Sequence, residues 1–291
     1  MDNILLIGGH SKLGLAMRNN DQFSGNYVCR KAGNGDGALS VNDYSELSSS
    51  DIRGFSTVYS LAGTSAGDVQ QLQKVNVDLA LHLANESKKA DVKKFFYISS
   101  FSVFGNANNI RKATIPRPVS IYGQSKFLAE NRLKELSVSS FSVTIVRLPM
   151  LYGFGDSKLE KLLKIWLLTR ILPVSRFPSR RSMLHYDMAA DVLLRLRVGE
   201  WPGVVALADP QPFCLEEAAQ ILSGATKRKI RIFRLGAIFM FPLRIFRPNL
   251  YQSLFTSSYL ENSANVASEL GLESRIDMDL ATFALRQIYE K

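Results

Sequence analysis

The 291-residue sequence has little of two features that would define a class: cysteine and long apolar runs. Its two cysteines, Cys29 and Cys214, lie far apart and have no metal-ligand or redox spacing. A disulfide framework is therefore not expected, and a reducing cytoplasm fits better. No run reaches the ~18 apolar residues that a membrane-spanning helix needs. The short apolar run Ile4–Ile7 near the start is too brief for a signal peptide and predicts a buried strand.

Histidine is also scarce, and the charge is strongly of one sign. The three histidines, His10, His82 and His185, have no metal-ligand spacing, so no metal is predicted. The net charge of +10 suits a nucleic acid, an anionic membrane surface, or an anionic substrate and cofactor. The bases are distributed along the chain and no nucleic-acid motif is present, which argues against nucleic acid as a partner.

The first half of the chain alternates short apolar segments with helical ones. Strands are predicted at 4–7, 27–30, 38–41, 57–61, 95–99 and 142–147, and helices at 13–19, 69–90 and 122–137. This alternation predicts an α/β fold, a Rossmann-type doubly wound parallel sheet with both faces covered. Such a sheet binds ligands at the carboxyl ends of its strands.

After Gly153 the alternation loosens. Helices are predicted at 159–169, 188–198 and 214–223, and a strand at 204–207. We expect a dinucleotide-binding Rossmann domain over 1–150. Residues 151–291 would mostly form a smaller C-terminal substrate lobe, with some segments returning to the Rossmann domain.

Residues 227–251 mix seven bases with Ile, Phe, Leu and Met. A basic amphipathic segment can lie on a membrane surface, which predicts peripheral membrane contact. The alternative is a helix that closes over the substrate cleft, and Pro242 and Pro248 would keep such a helix short.

A glycine turn directly follows the first predicted strand and opens a helix. Gly8 and Gly14 take the first and last glycine positions of a dinucleotide-binding turn, and Ser11 stands at the middle one. Small residues let the backbone N–H groups there approach a pyrophosphate. We therefore predict that Gly8, Ser11, Lys12, Leu13 and Gly14 bind the cofactor.

The end of the second strand predicts which dinucleotide binds. That strand ends in Arg30-Lys31, and bases there suit the 2′-phosphate of NADP, whereas an acidic residue suits NAD. NADP(H) is therefore the favoured cofactor and NAD(H) the alternative. Asp43 is a candidate for the adenine end, or else it caps a short helix at 44–47.

A tyrosine and a lysine stand four residues apart at the start of the helix predicted at 122–137. Residues i and i+4 share one helix face, so Tyr122 and Lys126 are neighbours. An ammonium beside a phenol is expected to lower the pKa of the phenol toward neutrality, where it can exchange a proton with an alcohol or a carbonyl oxygen. Ser100, at the end of the strand predicted at 95–99, can hold the same oxygen. These three residues are the predicted catalytic group.

With these motifs in order, the chain resembles the extended short-chain dehydrogenase/reductase family, in its nucleotide-sugar epimerase/dehydratase branch. The segments that carry the likeness are 58–63, 76–80, 147–153 and 181–187, in addition to the glycine turn and the Ser100, Tyr122 and Lys126 set. The resemblance implies that the tyrosine is the acid/base, that the lysine also binds the nicotinamide ribose, and that the serine positions the reacting oxygen.

The same resemblance places further residues. Those expected beside the cofactor are Leu61, Ala62, Gly63, Asn76 and Pro149. Those expected at the substrate are Ser100, Phe101, Met150 and Arg181, with Arg181 on the diphosphate. Ser11, Met150 and Met188 depart from the family's usual residues, which bears on the identity of the sugar. A homodimer through the Tyr122 helix is a common arrangement in the family.

The function implied is reduction of a nucleoside-diphosphate 4-keto sugar in polysaccharide assembly, with hydride from NADPH and a proton from Tyr122. One alternative is a nucleotide-sugar C4 epimerase with retained NAD, which would use the same residues. The other is a non-catalytic dinucleotide-binding sensor or assembly protein, because a fold does not fix a function.

Overall fold

A computed structural model describes residues 3–30, 38–153, 158–175, 179–201, 203–235, 241–242, 245–246 and 256–289. The chain divides into two compact units. Unit 1 comprises Met1–Asn106, Ile115–Pro149 and Tyr186–Leu207, and unit 2 comprises Ala107–Thr114, Met150–His185 and Ala208–Lys291.

The strands of both units are numbered here in chain order. They are β1 Ile4–Ile7, β2 Gly25–Arg30, β3 Ala38–Val41, β4 Thr57–Ser60, β5 Lys94–Ser100, β6 Asn109–Ile110, β7 Ser142–Leu148, β8 Met150–Tyr152, β9 Ile171–Ser175, β10 Arg180–Arg181, β11 Met183–His185, β12 Gly203–Ala206, β13 Phe213–Cys214, β14 Arg231–Leu235 and β15 Tyr259–Leu260.

The α-helices are numbered in the same way. They are α1 Lys12–Arg18, α2 Ser49–Ile52, α3 Val69–Gln73, α4 Leu79–Lys89, α5 Ile121–Lys134, α6 Lys158–Thr169, α7 Tyr186–Leu196, α8 Leu215–Thr226, α9 Val266–Glu269 and α10 Ile276–Tyr289.

Unit 1 is built on a seven-stranded sheet with the strand order β12-β7-β5-β4-β1-β2-β3. Every neighbouring pair in it is parallel. The order reverses at β1, beside β4, which is the switch point where such sheets bind ligands. The predicted Rossmann-type α/β fold is confirmed.

Both faces of this sheet are covered, as parallel sheets require. On one face, Val58 and Phe95 belong to an apolar core that also holds Leu83 of α4 and Leu133 of α5. On the other face, the Tyr59 and Phe96 rings stack at 4.6 Å, and the Tyr59 hydroxyl donates to the Leu193 carbonyl of α7 at 2.6 Å. The sheet is therefore the middle layer of three.

The helix predicted over 69–90 is interrupted. A single π-helical turn, Lys74–Asp78, separates α3 from α4 and carries the fully buried Asn76. Turns of this kind are common at functional sites. Periodicity did not reveal it, because apolar residues keep nearly the same spacing on both sides of the turn.

Unit 2 contains more strand than its sequence predicted. Its described strands are all short and form four two-stranded pairs, β6 with β15, β8 with β11, β9 with β14 and β10 with β13. A core around Leu163, Trp166, Leu172 and Leu222 holds α6, β9 and α8 together. No helix within the described ranges combines the length and apolarity needed to cross a membrane.

The segment predicted as an amphipathic helix or membrane contact, 227–251, begins differently from that prediction. Lys227 caps α8, and Arg231–Leu235 form strand β14, which pairs in parallel with β9. β-Branched and aromatic residues in Arg231–Leu235 suit a strand. Beyond Leu235, only 241–242 and 245–246 of this segment lie within the described residues.

One fully buried carboxylate joins three elements of unit 1. Glu130 of α5 accepts from Ser99 of β5 at 2.5 Å and from Arg147 of β7 at 3.0 Å on Oε1, and from Arg147 at 2.6 Å on Oε2. The Arg147 side chain is 8% exposed and that of Glu130 is 0% exposed. A buried ion pair is held only where geometry is good and further hydrogen bonds complete it, as they do here.

Glu130→Gln should lower the free energy of unfolding by about 3 kcal/mol, because the guanidinium of Arg147 would stay buried without a counter-charge. Urea denaturation followed by circular dichroism measures the change. The matched control is Glu135→Gln at the exposed end of the same helix, which should change stability by less than about 0.5 kcal/mol.

A double variant distinguishes the cost of leaving one charge unpaired from the contribution of the ion pair itself. Replacing both partners, as in Glu130→Leu with Arg147→Met, should restore most of the lost stability because no lone charge is left buried. Equal urea midpoints for Glu130→Gln and the natural protein would contradict this account of the pair.

Candidate active site

The glycine turn lies between β1 and α1, as predicted. Gly8 has a φ of 98°, and the N–H groups of Gly8 and Gly9 both donate to the Val28 carbonyl at 3.1 Å. A Cβ on Gly14 would lie 2.6 Å from the Gly8 carbonyl oxygen, so only glycine fits there. The turn is thus shaped by two glycines that hold the helix close to the strand.

Ser11 has a role that explains why it stands where many such turns have glycine. It is the N-cap of α1, and its hydroxyl accepts from the Gly14 N–H at 3.0 Å. Its φ of −66° is ordinary, so the position does not need glycine. Lys12 and the buried Leu13 begin the helix directly after it.

Two adjoining cavities of about 470 and about 560 Å³ lie at the carboxyl ends of the strands next to this turn. Volumes of this size are usual for small-molecule sites. Both are lined by the same four residues, Arg30, Tyr44, Ala62 and Gly63. Gly8, Ser11 and Leu61 line the larger one, which joins the turn to the loop after β4.

Arg30 is the basic group at the end of β2. Its guanidinium carbon lies 5.6 Å from the centre of the Tyr44 ring, a cation–π arrangement that directs it along the cavity wall. Lys31, predicted together with it, lies outside the described residues.

Asp43 lines the smaller cavity and also caps the short 3₁₀ turn Tyr44–Glu46. Its carboxylate accepts from the Ser45 N–H at 2.9 Å and from the Ser45 hydroxyl at 2.8 Å, and these bonds hold the pKa of Asp43 below its ordinary value. The two interpretations left open for this residue, adenine end and helix cap, are therefore compatible.

Hydrogen bonds from the Asn76 side chain hold the loop after β4 in place. The side-chain oxygen of Asn76 accepts from the Thr64 N–H, and its amide donates to the Thr64 carbonyl and to Ser125 of α5. A Cβ on Gly63 would come within 3.1 Å of the Lys126 Nζ and 3.3 Å of the Asn76 oxygen. Asn76 thus supports the loop that lines the cavity, and it joins this loop to the helix that carries Tyr122.

Ser100, Tyr122 and Lys126 come together at the end of β5. Ser100 ends that strand, and its hydroxyl accepts from the Ser102 N–H at 3.2 Å. Ser120 caps α5 by accepting from the Gly123 N–H, so Tyr122 stands in the first turn. The Tyr122 phenol is hydrogen-bonded to the Ser100 side chain.

The protonation of Tyr122 differs from the expectation. Burial raises its pKa above the ordinary value, and only the hydrogen bond with Ser100 acts in the opposite direction. The lowering by Lys126 predicted from spacing is not found. The physical reason is that burial penalises the charged phenolate form. The Lys126 ammonium donates to the Ile98 carbonyl and makes no such contact with the phenol.

Lys126 is 4% exposed, and its Nζ donates to the Ile98 carbonyl at 2.9 Å. The same nitrogen lies 4.6 Å from the centre of the Tyr97 ring. Burial lowers the pKa of Lys126 to about 8, against the opposing effect of the Glu130 carboxylate. Glu130 therefore helps to keep a buried ammonium charged.

The remaining predicted residues are divided between the units. Phe101 begins the 3₁₀ turn after Ser100, with its ring edge-on to Phe104, and Pro149 ends the part of unit 1 that contains β7. Met150 and Arg181 belong to unit 2. Met150 is 37% exposed, and the Arg181 guanidinium donates to the Thr256 carbonyl and hydroxyl at 3.2 Å.

Sequence reasoning missed the groups beneath the site. Glu130, Ser99 and Tyr97 were not predicted, although Glu130 stands four residues after Lys126 on the same helix face. That spacing was a usable signal. The partners of Glu130 on two strands carried no such signal, because they are 17 and 31 residues away in sequence.

A model of the NAD dependent epimerase/dehydratase family matches residues 39–194, which is more than half of the chain. Among curated proteins, the chain is 33% identical over 110 residues to "Sterol-4-alpha-carboxylate 3-dehydrogenase, decarboxylating" of Dictyostelium discoideum. The match covers 34% of each protein, so the chain spans only about a third of the length of that relative.

Solved structures of the same fold align over nearly the whole chain. A UDP-N-acetylglucosamine 4-epimerase from Methanobrevibacter ruminantium M1 has a TM-score of 0.77 at 14% identity, covering 100% of this chain and 99% of that one. MoeE5 in complex with UDP-glucuronic acid and NAD has a TM-score of 0.73 at 20% identity, covering 99% and 100%. At these identities the likeness establishes the fold. With the family match, it leads to one conclusion: the chain is a short-chain dehydrogenase/reductase-type enzyme that belongs to the NAD dependent epimerase/dehydratase family.

Proposed function

We propose that this enzyme reduces a nucleoside-diphosphate 4-keto sugar with NADPH, in polysaccharide biosynthesis. The observation that carries the proposal is the position of the Tyr122 phenol, in the first turn of α5 and beside Ser100 at the end of β5, with a raised pKa that leaves it a proton donor at neutral pH. A reduction needs a proton donor for the forming alkoxide, whereas an oxidation needs a phenolate base. The resting state of this site suits the reduction.

The residues around the two cavities fit a dinucleotide. Gly8, Ser11 and Gly14 shape a turn that places the N-terminus of α1 at the larger cavity, and a helix N-terminus suits a pyrophosphate. Arg30 lines both cavities and suits a 2′-phosphate. We therefore favour NADP(H) over the NAD(H) that several neighbours of the same fold contain.

In this mechanism the bound dinucleotide supplies a hydride to the keto carbon. Ser100 donates a hydrogen bond to the carbonyl oxygen as negative charge develops on it. Tyr122 gives its proton to that oxygen, so the ketone gains one hydride and one proton and becomes an alcohol. Lys126 holds the ribose, and its positive charge stabilises the phenolate left on Tyr122.

For the substrate we propose the diphosphate and sugar contacts predicted from sequence, with Arg181, Met150 and Phe101 as the residues involved. Two of the neighbouring structures are complexes with UDP-sugars, which supports a nucleotide sugar as the substrate class.

The competing function is a C4 epimerase with retained NAD, which would use Ser100, Tyr122 and Lys126 on the same carbon. Protein purified and then heat-denatured should release little dinucleotide by mass spectrometry, and it should consume NADPH when given a 4-keto nucleotide sugar. Stoichiometric retained NAD, with no net change in absorbance, would establish the epimerase instead. Bound dinucleotide without turnover of any sugar would favour the non-catalytic sensor.

The homodimer predicted from the family remains a proposal. Ile121 and Leu128 of α5 are seven residues apart on one face and are 47% and 36% exposed. Covering this face with a second copy would bury both side chains.

We also propose the predicted peripheral membrane contact through 227–251, of which the described Arg231, Phe233 and Arg234 are exposed.

Tyr122→Phe should lower NADPH-dependent turnover by roughly 10²-fold or more, because the proton donor is lost. Dinucleotide binding, measured by calorimetry, should be unchanged. The matched control is Tyr59→Phe, which removes a buried hydroxyl on the other face of the sheet and should leave turnover near normal. Near-normal turnover by Tyr122→Phe would exclude this residue as the proton donor.

The rate should fall as the pH rises through about 8. Below that pH Lys126 carries its charge, and above it the buried ammonium loses its proton. The raised pKa of Tyr122 keeps the phenol protonated through this range, so it does not cause the fall. Lys126→Arg, which holds its charge to much higher pH, should move the fall to higher pH; an identical pH profile in that variant would contradict the assignment.

Arg30→Asp should weaken binding of NADPH by about tenfold or more while leaving NADH binding nearly unchanged, since it removes the cation proposed to face the 2′-phosphate. Titration of each dinucleotide by fluorescence gives the ratio. Arg53→Asp makes the same charge change at an exposed position that lines neither cavity, and it should leave the ratio alone. An unchanged ratio in Arg30→Asp would make Arg30 an ordinary surface base.

A further inference from the structure

The positive charge of this chain is concentrated, not distributed as its sequence first suggested. Residues 158–175 and 227–251 together contain eleven bases and a single acidic residue, Glu160. The rest of the chain holds 25 bases and 25 acids, so these two segments account for the whole net charge of +10. A site for an anionic cofactor or substrate in unit 1 does not explain this charge.

The two basic segments meet in a small parallel sheet within unit 2. Ile171 of β9 pairs with Arg231 of β14, Pro173 pairs with Phe233, and the Arg231 N–H donates to the Arg170 carbonyl at 2.9 Å. Paired residues of a parallel sheet point to the same side. Leu172, between the first two pairs, is 0% exposed and packs in the core, so Ile171 and Phe233 lie on the outer side.

The helix before β9 continues this surface. Leu163 and Trp166 of α6 pack into the core, and Ile165 and Leu168 are 51% and 71% exposed. Arg170 alone separates α6 from Ile171, which is 52% exposed. Exposed apolar and basic side chains are therefore contiguous from Ile165 through the turn to β14. Phe241 and Phe246, also exposed, lie in the second basic segment.

The combination of exposed apolar and basic side chains distinguishes between possible partners. A second copy would bring two strongly basic faces together, and like charges repel. A nucleic acid matches the basic residues but offers little to exposed aliphatic side chains such as Ile165, Leu168 and Ile171. An anionic membrane matches both, since headgroups attract the bases and the acyl boundary accepts the apolar side chains.

We infer that unit 2 docks on an anionic membrane through the outer surface of α6, β9 and β14. Ile165, Leu168, Ile171 and Phe233 enter the acyl boundary, and Lys161, Arg170 and Arg231 lie at the headgroups. This surface includes α6 and β9 in addition to the segment 227–251. The inference rests on charge and exposure and is independent of the proposed reaction.

The test is co-sedimentation of the full chain with vesicles of equal parts phosphatidylglycerol and phosphatidylcholine, compared with phosphatidylcholine alone. Binding should require the anionic lipid at low salt and weaken at high salt. The variant Ile165→Ser with Leu168→Ser should reduce the bound fraction several-fold, and Lys161→Gln with Arg231→Gln should weaken binding by about tenfold or more. The control Ile115→Ser with Val119→Ser changes exposed apolar residues of unit 1 and should bind normally.

No binding to the anionic vesicles at low salt would overturn the inference, and so would equal binding by the α6 variant. Binding to a duplex DNA probe that competes with the vesicles and that the α6 variant leaves unchanged would assign the surface to nucleic acid. NADPH turnover of the same variants is measured without lipid and should remain normal. Failure of the docking and failure of the proposed reaction are thereby distinguishable.

Discussion

The active site of this enzyme depends on one buried carboxylate. Glu130 binds Ser99 of β5 and Arg147 of β7 from a helix that also carries Tyr122 and Lys126. A charge removed from water is tolerated only when its partners are fixed, so this interaction sets the position of α5 on the sheet. Because Tyr122 and Lys126 stand eight and four residues before Glu130, their positions follow from the same contact.

A second constraint reaches the site from the opposite side. The π-helical turn places Asn76 beneath the loop after β4, where its amide binds both Thr64 and Ser125 of α5. Loop and helix are thus held at a fixed separation, and Gly63 leaves room for the Lys126 ammonium between them. This arrangement buries the Lys126 ammonium, and the burial lowers its pKa to about 8.

The net positive charge and the residues proposed for chemistry lie in different units. Unit 1 holds the fold of the family and the residues proposed for chemistry. Unit 2 contains both segments that account for the net charge, α6–β9 and 227–251, and they meet where β9 pairs with β14. A basic composition alone predicted an anionic partner without naming it. No described residue of these two segments lines either cavity of unit 1, which is why we infer a second anionic partner for unit 2.

The sequence determined the sheet of unit 1, the glycine turn and the Ser100, Tyr122 and Lys126 set, because strand periodicity, glycine and i, i+4 spacing are local properties. Only the tertiary structure decided the rest. The π turn at Asn76, the short strands of unit 2 and the triad of Glu130, Ser99 and Arg147 all depend on residues far apart in the chain. The protonation of Tyr122 was predicted in the wrong direction for the same reason: spacing shows which groups are neighbours, whereas pKa depends on how completely the fold removes each group from water.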